Sequence, residues 1–217
     1  MLMRLFAAAV LLTSAVACSA QAPAAGGLTE GQDYERIDPP VPTSAPAGKI
    51  EVIEVFGYSC VHCANLQPIV DEWKKTLPED VAFGYMPAVF GGAWEIYGRA
   101  YYAAETMGIL EQSHSEIFNK IHTQRAPIRS VEDVAGLYTS YGVTQADFLA
   151  SMQSFAVNAK IARAQQTVQR YGIDATPTMV VNGKYRVQSP REGGFPRMLQ
   201  IVEALVAQER AAAAAGG

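Results

Sequence analysis

The stretch Ile50-Glu51-Val52-Ile53-Glu54-Val55-Phe56, then Gly57-Tyr58-Ser59, then Cys60-Val61-His62-Cys63 decides the fold. The first run is rich in β-branched residues and places apolar side chains on both faces. It predicts a central strand over 50–56 that is covered on both sides. Gly57-Tyr58-Ser59 turns the chain. From Cys60 a helix is expected, because Leu66, Ile69, Val70, Trp73 and Leu77 recur at helical spacing. Pro68 inside it predicts a kink, and Leu77-Pro78 ends it. Val81 to Met86 reads as a second strand, so 50–86 is a β-α-β unit.

A C-x-x-C pair at the junction of a buried strand and a helix reads as a thioredoxin-like redox motif. Cys60 falls at the helix N-terminus, where free N–H groups and the helix dipole favour a thiolate. His62 lies between the two cysteines in sequence, and its ring is expected to donate to that thiolate or add positive charge beside it. Cys63 lies one turn further in and is expected to be the less exposed, resolving thiol. A stabilised thiolate stabilises the reduced form, which makes the disulfide oxidising. Glu54 shares a strand face with Val52 and Phe56. A carboxyl buried there should have a raised pKa and could exchange protons with Cys63. The alternative is a water-facing Glu54, although Glu51 is the better candidate for solvent. A structural disulfide is a weak alternative, since so short a loop constrains little chain entropy. A zinc half-site is weak too: the further donors His62, His114 and His122 have no ligand-like spacing, no metal is expected, and His114 and His122 read as surface residues. Thr176-Pro177 opens a later strand, and the sequence leaves its cis or trans state open.

Outward from this unit, helical signals fill Trp94 to Tyr171. Trp94, Tyr97, Tyr101 and Ala104 share one face, as do Ile117, Phe118 and Ile121. Ser130 and Thr144 read as N-caps with an acid in the following turn. Val157, Ile161, Ala164, Val168 and Tyr171 line a longer helix, and the aromatic residues here are taken as core. Thr178 to Val181, Asn182-Gly183 and Lys184 to Val187 form a hairpin with a type I′ turn. Phe195, Met198, Val202, Leu205 and Val206 mark a closing amphipathic helix.

The chain has 217 residues, 49% hydrophobic and 18% charged, with a formal net charge of −4. This is globular composition, and the acidic balance argues against nucleic acid or anionic lipid as the main partner. Its three cysteines cannot form a disulfide scaffold, so at least one has another job. Met1 to Ala20 has the layout of a secretory signal: Arg4 near the start, an apolar Leu5 to Leu12, then small residues. The apolar run is shorter than the roughly 20 residues a spanning helix needs. Ala15-Val16-Ala17-Cys18 resembles a bacterial lipobox, in which Cys18 would be lipidated; plain cleavage after Ala17 or Ala20 is the alternative. The resulting division is a signal peptide over 1–17, a tether and N-terminal extension over 18–48, and a thioredoxin-like part over 49–90. A helical insertion over 91–171, a second thioredoxin-like part over 172–210 and a flexible tail over 211–217 complete it. The fold class is α/β, a thioredoxin-like fold with an inserted all-helical domain.

At this point the chain resembles the DsbA family of thiol:disulfide oxidoreductases, from about Leu28 to Ala207. The resemblance rests on Val52-Ile53-Glu54-Val55-Phe56, on Cys60-Val61-His62-Cys63, on Leu77-Pro78-Glu79 and on Val180-Val181-Asn182-Gly183-Lys184-Tyr185, in that order. It implies that Cys60 attacks, Cys63 resolves, His62 stabilises the Cys60 thiolate and Glu54 is the buried acid. It also implies a cis Thr176-Pro177 against the disulfide, with Thr176, Pro177 and Val61 lining the substrate site. The function implied is disulfide introduction into unfolded exported polypeptides in the periplasm, by a monomer without soluble cofactor. A DsbB-like, quinone-linked membrane partner would reoxidise it, and a lipid anchor on Cys18 would hold it to a membrane. Three residues depart from the family's pattern. Val61 stands where its best-known members have Pro, Thr176 stands where Val is common, and Tyr85 takes the place of a Lys beside the buried acid. Thr176 also occurs in disulfide isomerases, so a reductase or isomerase is one alternative. A thiol metal-binding or chaperone module is another.

Overall fold

Strand β2 (Ile50–Phe56) is buried at every residue and lies inside a five-stranded sheet. The computed structural model describes residues 27–215. The signal peptide, Cys18 and its lipobox, the start of the tether, and Gly216–Gly217 lie outside the described residues. Among the described residues no helix is long and apolar enough to cross a membrane.

The strand order is β1 (Glu35–Arg36), β5 (Tyr185–Gln188), β4 (Thr178–Val181), β2, β3 (Val81–Pro87). Strand β3 (Val81–Pro87) runs parallel to β2, as a crossover through helix α1 (Val61–Trp73) requires. Strand β4 (Thr178–Val181) pairs antiparallel with the other side of β2, and β5 (Tyr185–Gln188) follows it. Strand β2 therefore has neighbours on both edges and cover on both faces. Val52 packs with Leu66 and Val70 of α1 and with Met198 and Val202 of helix α7 (Gly194–Ala215). Ile53 and Val55 point the other way, to Val168 and Tyr171 at the end of helix α6 (Phe155–Arg170). Phe56 enters a third core made by the helical block, which also holds α2 (Ala93–Thr106), α3 (Leu110–Phe118), α4 (Val131–Gly136) and α5 (Gln145–Met152). The period of two along β2 thus distributes one strand among three cores.

Local signals account for most boundaries. Helix α1 continues through Pro68 to Trp73 and ends in a short 3-10 turn before Leu77. Ile69 faces out, because the buried stripe runs through Leu66, Val70 and Trp73. Ser130 and Thr144 cap α4 and α5 by accepting from the N–H of Asp133 and Asp147. Asn182 and Gly183 both have positive φ, and the Lys184 N–H donates to the Val181 carbonyl, as a type I′ turn demands. The register sets Val181 opposite Tyr185, so Lys184 is a bulge and β5 starts one residue later than expected. Gly183 is required twice over. Its φ is +63°, and a Cβ there would run into the Val41 carbonyl.

The ends carry more structure than the sequence shows. Residues 28–41 are a packed part of the N-terminal extension: Leu28, Tyr34, Ile37 and Val41 are buried, and β1 (Glu35–Arg36) adds an edge strand to β5. This segment is tied down by backbone bonds from Ile37 and Val41 to Lys184 and Gly183, which a periodicity reading cannot see. At the other end, Ala211 to Ala215 continue α7 as helix instead of fraying. Alanine has the highest intrinsic helix propensity, which sustains these exposed turns.

Candidate active site

Two chain junctions meet at the site. One is the β2–α1 junction, which carries Cys60. The other is the Thr176-Pro177 peptide ahead of β4, which is cis. Cys60 is the N-cap of α1: its backbone is extended, and its sulfur accepts from the Cys63 N–H at 3.3 Å. That position normally takes a Ser, Thr, Asp or Asn oxygen, and no acidic residue occupies the first turn. The sulfur is the one group placed there to answer the helix's free donors. On its other side it lies 3.4 Å from the Thr176 carbonyl oxygen. The sheet registers β4 beside β2, with Val55 opposite Thr178, and so delivers the Thr176-Pro177 segment to the sulfur.

The two thiols have opposite environments. Cys60 is half-buried and its pKa is pushed down to about 5. The hydrogen bond from the Cys63 thiol contributes most, against the cost of burial. Thr176 and the N–H groups of Cys63 and His62 add to it. Cys63 is fully buried and is driven the other way, first by desolvation and then by its bond to Cys60 and the charge of Glu54. A thiol lowered like Cys60 ionises more readily and is the better leaving group of the pair, and one raised like Cys63 leaves poorly unless it receives a proton.

Glu54 is wholly buried beneath the pair, and neither carboxyl oxygen has a hydrogen-bond partner among the described residues. Desolvation, then the Cys60 charge, raises its pKa to about 8. Tyr85 is its register partner on β3. The Tyr85 hydroxyl accepts from Gln67 Nε2 at 3.0 Å, and the same amide reaches Asp71 at 3.1 Å. Burial would raise Asp71, but bonds from Lys74 and Ser115 hold it below the usual carboxylate range. The cation nearest this cluster is therefore Lys74, engaged by Asp71 at 2.6 Å near the surface.

Several expected residues are placed differently. The His62 ring is exposed and makes no bond to Cys60; its main-chain N–H serves the sulfur instead. A side chain early in a helix projects outward while its N–H points along the axis, so sequence proximity does not give ring contact. Val61 stands 52% exposed beside Cys60. Glu51, expected to face water, is buried and accepts from the Ser44 N–H and hydroxyl at 2.8 and 2.7 Å. His114 and His122 are not surface residues. His114 is buried against Tyr58, and His122 is half-buried and reaches the Tyr58 carbonyl. Gln67 and Asp71 carried no sequence signal beyond helical spacing from Cys63.

A strand–turn–helix that presents one low-pKa thiol over one buried thiol, facing a cis-proline segment on a mixed sheet, defines a thioredoxin-fold thiol:disulfide oxidoreductase. The comparisons agree. Residues 97–205 match the model of the DSBA-like thioredoxin domain. The thiol:disulfide interchange protein DsbA of Pseudomonas syringae is 38% identical over 211 residues, 97% of each chain. That of Bordetella parapertussis is 35% identical over 95% of each. The crystal structure of Pseudomonas aeruginosa DsbA superposes with a TM-score of 0.79 at 38% identity, covering 86% of this chain and 96% of that one. The oxidoreductase DsbA of Xylella fastidiosa gives 0.80 at 37%, over 85% and 98%. The chain belongs to the DsbA family.

The buried acid sets a pH signature. The folded pKa of Glu54 lies above the ordinary 4.5, so the pH-dependent penalty for burying it is absent below that value and applies in full above about 8. Glu54→Gln should therefore stabilise the reduced protein at pH 8 by on the order of 2–4 kcal/mol, and by little near pH 4. Urea denaturation at the two pH values checks this, and an equal effect at both would contradict the buried-acid assignment.

Proposed function

We propose that the protein is an oxidant of exported polypeptides, with Cys60 as the attacked sulfur, Cys63 as the buried partner and Glu54 as the proton store between turnovers. A substrate thiolate attacks Cys60 Sγ, and the Cys60–Cys63 bond breaks with its electron pair moving to Cys63. Glu54, protonated below about pH 8, gives that sulfur a proton, without which so strongly raised a thiol is a poor leaving group. The second substrate thiolate attacks the substrate sulfur of the mixed disulfide. Cys60 departs as the thiolate its surroundings favour, and the substrate carries away a disulfide. Two electrons remain with the enzyme, on the Cys60 thiolate and on a Cys63 thiol that holds the former Glu54 proton; the substrate's two thiol protons have gone to solvent, and a quinone-linked, DsbB-like membrane partner would remove the electrons. Thr176, Pro177 and Val61 border Cys60 and would contact the substrate chain. The exposed His62 ring lies on the solvent side of the helix start. The observation that carries this reading is the sulfur of Cys60 in the N-cap position of α1.

The setting follows from the leader. A secretory signal over 1–17 would deliver the chain to the periplasm, and acylation of Cys18 would hold it at a membrane by a tether ahead of residue 27. The family's relatives bear the name thiol:disulfide interchange protein, which fits an envelope oxidant.

Two measurements test this. Equilibration with glutathione buffers should show the Cys60–Cys63 disulfide oxidising the glutathione pool, and the oxidised protein should transfer its disulfide to a reduced, unfolded polypeptide. A strongly reducing pair would support a reductase instead. Cys18→Ser should move the expressed full-length protein from the membrane to the soluble envelope fraction, and unchanged fractionation would refute the anchor.

A further inference from the structure

The turn that carries Cys60 is gripped by the helical block at three points. Trp94 of α2 covers Gly57 so closely that a Cβ there would run into its ring. Tyr58 is 1% exposed, and its hydroxyl is 2.8 Å from Nδ1 of His114 on α3. The Tyr58 carbonyl oxygen accepts from Nε2 of His122 at 2.7 Å. A carbonyl only accepts, so the His122 ring carries a proton on Nε2. Burial holds His114 down to about 3, which keeps its imidazole neutral.

The helix is shaped for this contact. Beyond α3 the chain widens into a π-helical turn over Asn119–Thr123, closed by the Gln124 N–H on the Asn119 carbonyl. Along a regular α-helix the successive four-residue steps from His114 to Phe118 to His122 drift around the axis. The wide turn takes up that drift and returns His122 to the Phe118 face, where the two rings stack at 6.3 Å.

We propose that His122 is a positioning residue for disulfide exchange: through the Tyr58 carbonyl, with His114 on the hydroxyl, it fixes the Gly57–Cys60 turn and so holds the Cys60 sulfur on its donors. Packing of the Tyr58 ring on Phe56 and Phe118 anchors the side chain, but the turn's own backbone is tied only by the Cys60 N–H on the Gly57 carbonyl at 3.0 Å and by His122 on the Tyr58 carbonyl, among the described residues. The sulfur's contact with its donor, the Cys63 N–H, is long, at 3.3 Å, and a small drift would lose it. In the oxidised protein a covalent bond to Cys63 holds the sulfur in place. Loosening the turn therefore weakens the reduced form selectively, and the disulfide becomes less oxidising.

The inference rests on Cys60 being the stabilised thiolate, and the test separates the two. In His122→Phe the ring can still stack on Phe118 but the donor is gone. The variant should shift the glutathione equilibrium about two- to tenfold toward the protein disulfide, the scale of one lost hydrogen bond. Its Cys60 thiolate midpoint should rise, and His122→Gln, which keeps an N–H donor, should recover part of both. A folded His122→Phe with unchanged equilibrium and midpoint would overturn the inference. Nitrogen NMR of the unmodified protein adds a check that needs no variant to fold: the Nε2–H tautomer is expected for His122, and an Nδ1–H tautomer would overturn it. An ordinary thiol midpoint in the unmodified protein would instead reject the Cys60 assignment, and the positioning role with it.

Discussion

The Cys60 sulfur at the head of α1 is the constraint around which the structure is arranged. A helix leaves its first N–H groups without partners, and side-chain oxygens usually take them. Here a sulfur does, and it can answer as an anion. That requires α1 to start where a fully buried strand ends, with the turn between them held still. The three cores supplied by β2 are what keep the strand's end in place, since a shift that relieved one would disturb the other two. Helix α7, the far end of α6 and the helical block thus all bear on the position of one atom.

The environment below the sulfur pair completes the chemistry. Cys63 and Glu54 are both fully buried; desolvation raises both, and the Glu54 charge raises Cys63 further, so two negative charges side by side there are costly. With Tyr85 beside it, Glu54 has no adjacent cation to hold it ionised. Of the Lys74–Asp71 pair beyond Gln67, the Asp71 charge raises Glu54 more than the Lys74 charge lowers it. Relatives with a Lys in that place, as the family resemblance describes, would hold the acid more nearly ionised. On the other thiol's side, the Thr176 carbonyl lies against the Cys60 sulfur and Val61 stands exposed beside it. Different residues thus surround the two sides of the pair.

Much of this was legible in the sequence where local physics decides the outcome. The β-branched run 50–56, the Cys60 helix start, the Asn182-Gly183 turn and the caps at Ser130 and Thr144 are short-range signals, and the structure repeats them. Glu54 was placed inside because both of its strand faces are apolar. What failed depends on partners distant in sequence. Strand β1 is two charged residues, Glu35 and Arg36, whose strand character comes from β5 and not from themselves. Glu51 is buried because Ser44 loops back to cap it. His114 and His122 read as surface because the residue that needs them, Tyr58, lies more than fifty positions away. His62 is a neighbour in sequence whose exposed ring makes no hydrogen bond to the Cys60 sulfur.

The most direct measurement is ultraviolet thiolate absorbance of the reduced protein against pH, with Cys60→Ser to assign the signal. A midpoint near 5 for Cys60, with Cys63 silent through the alkaline range, is the result the arrangement requires. A midpoint near the ordinary thiol value of 9 would contradict it, because the sulfur at the head of α1 would then not be the anion the helix is built to hold.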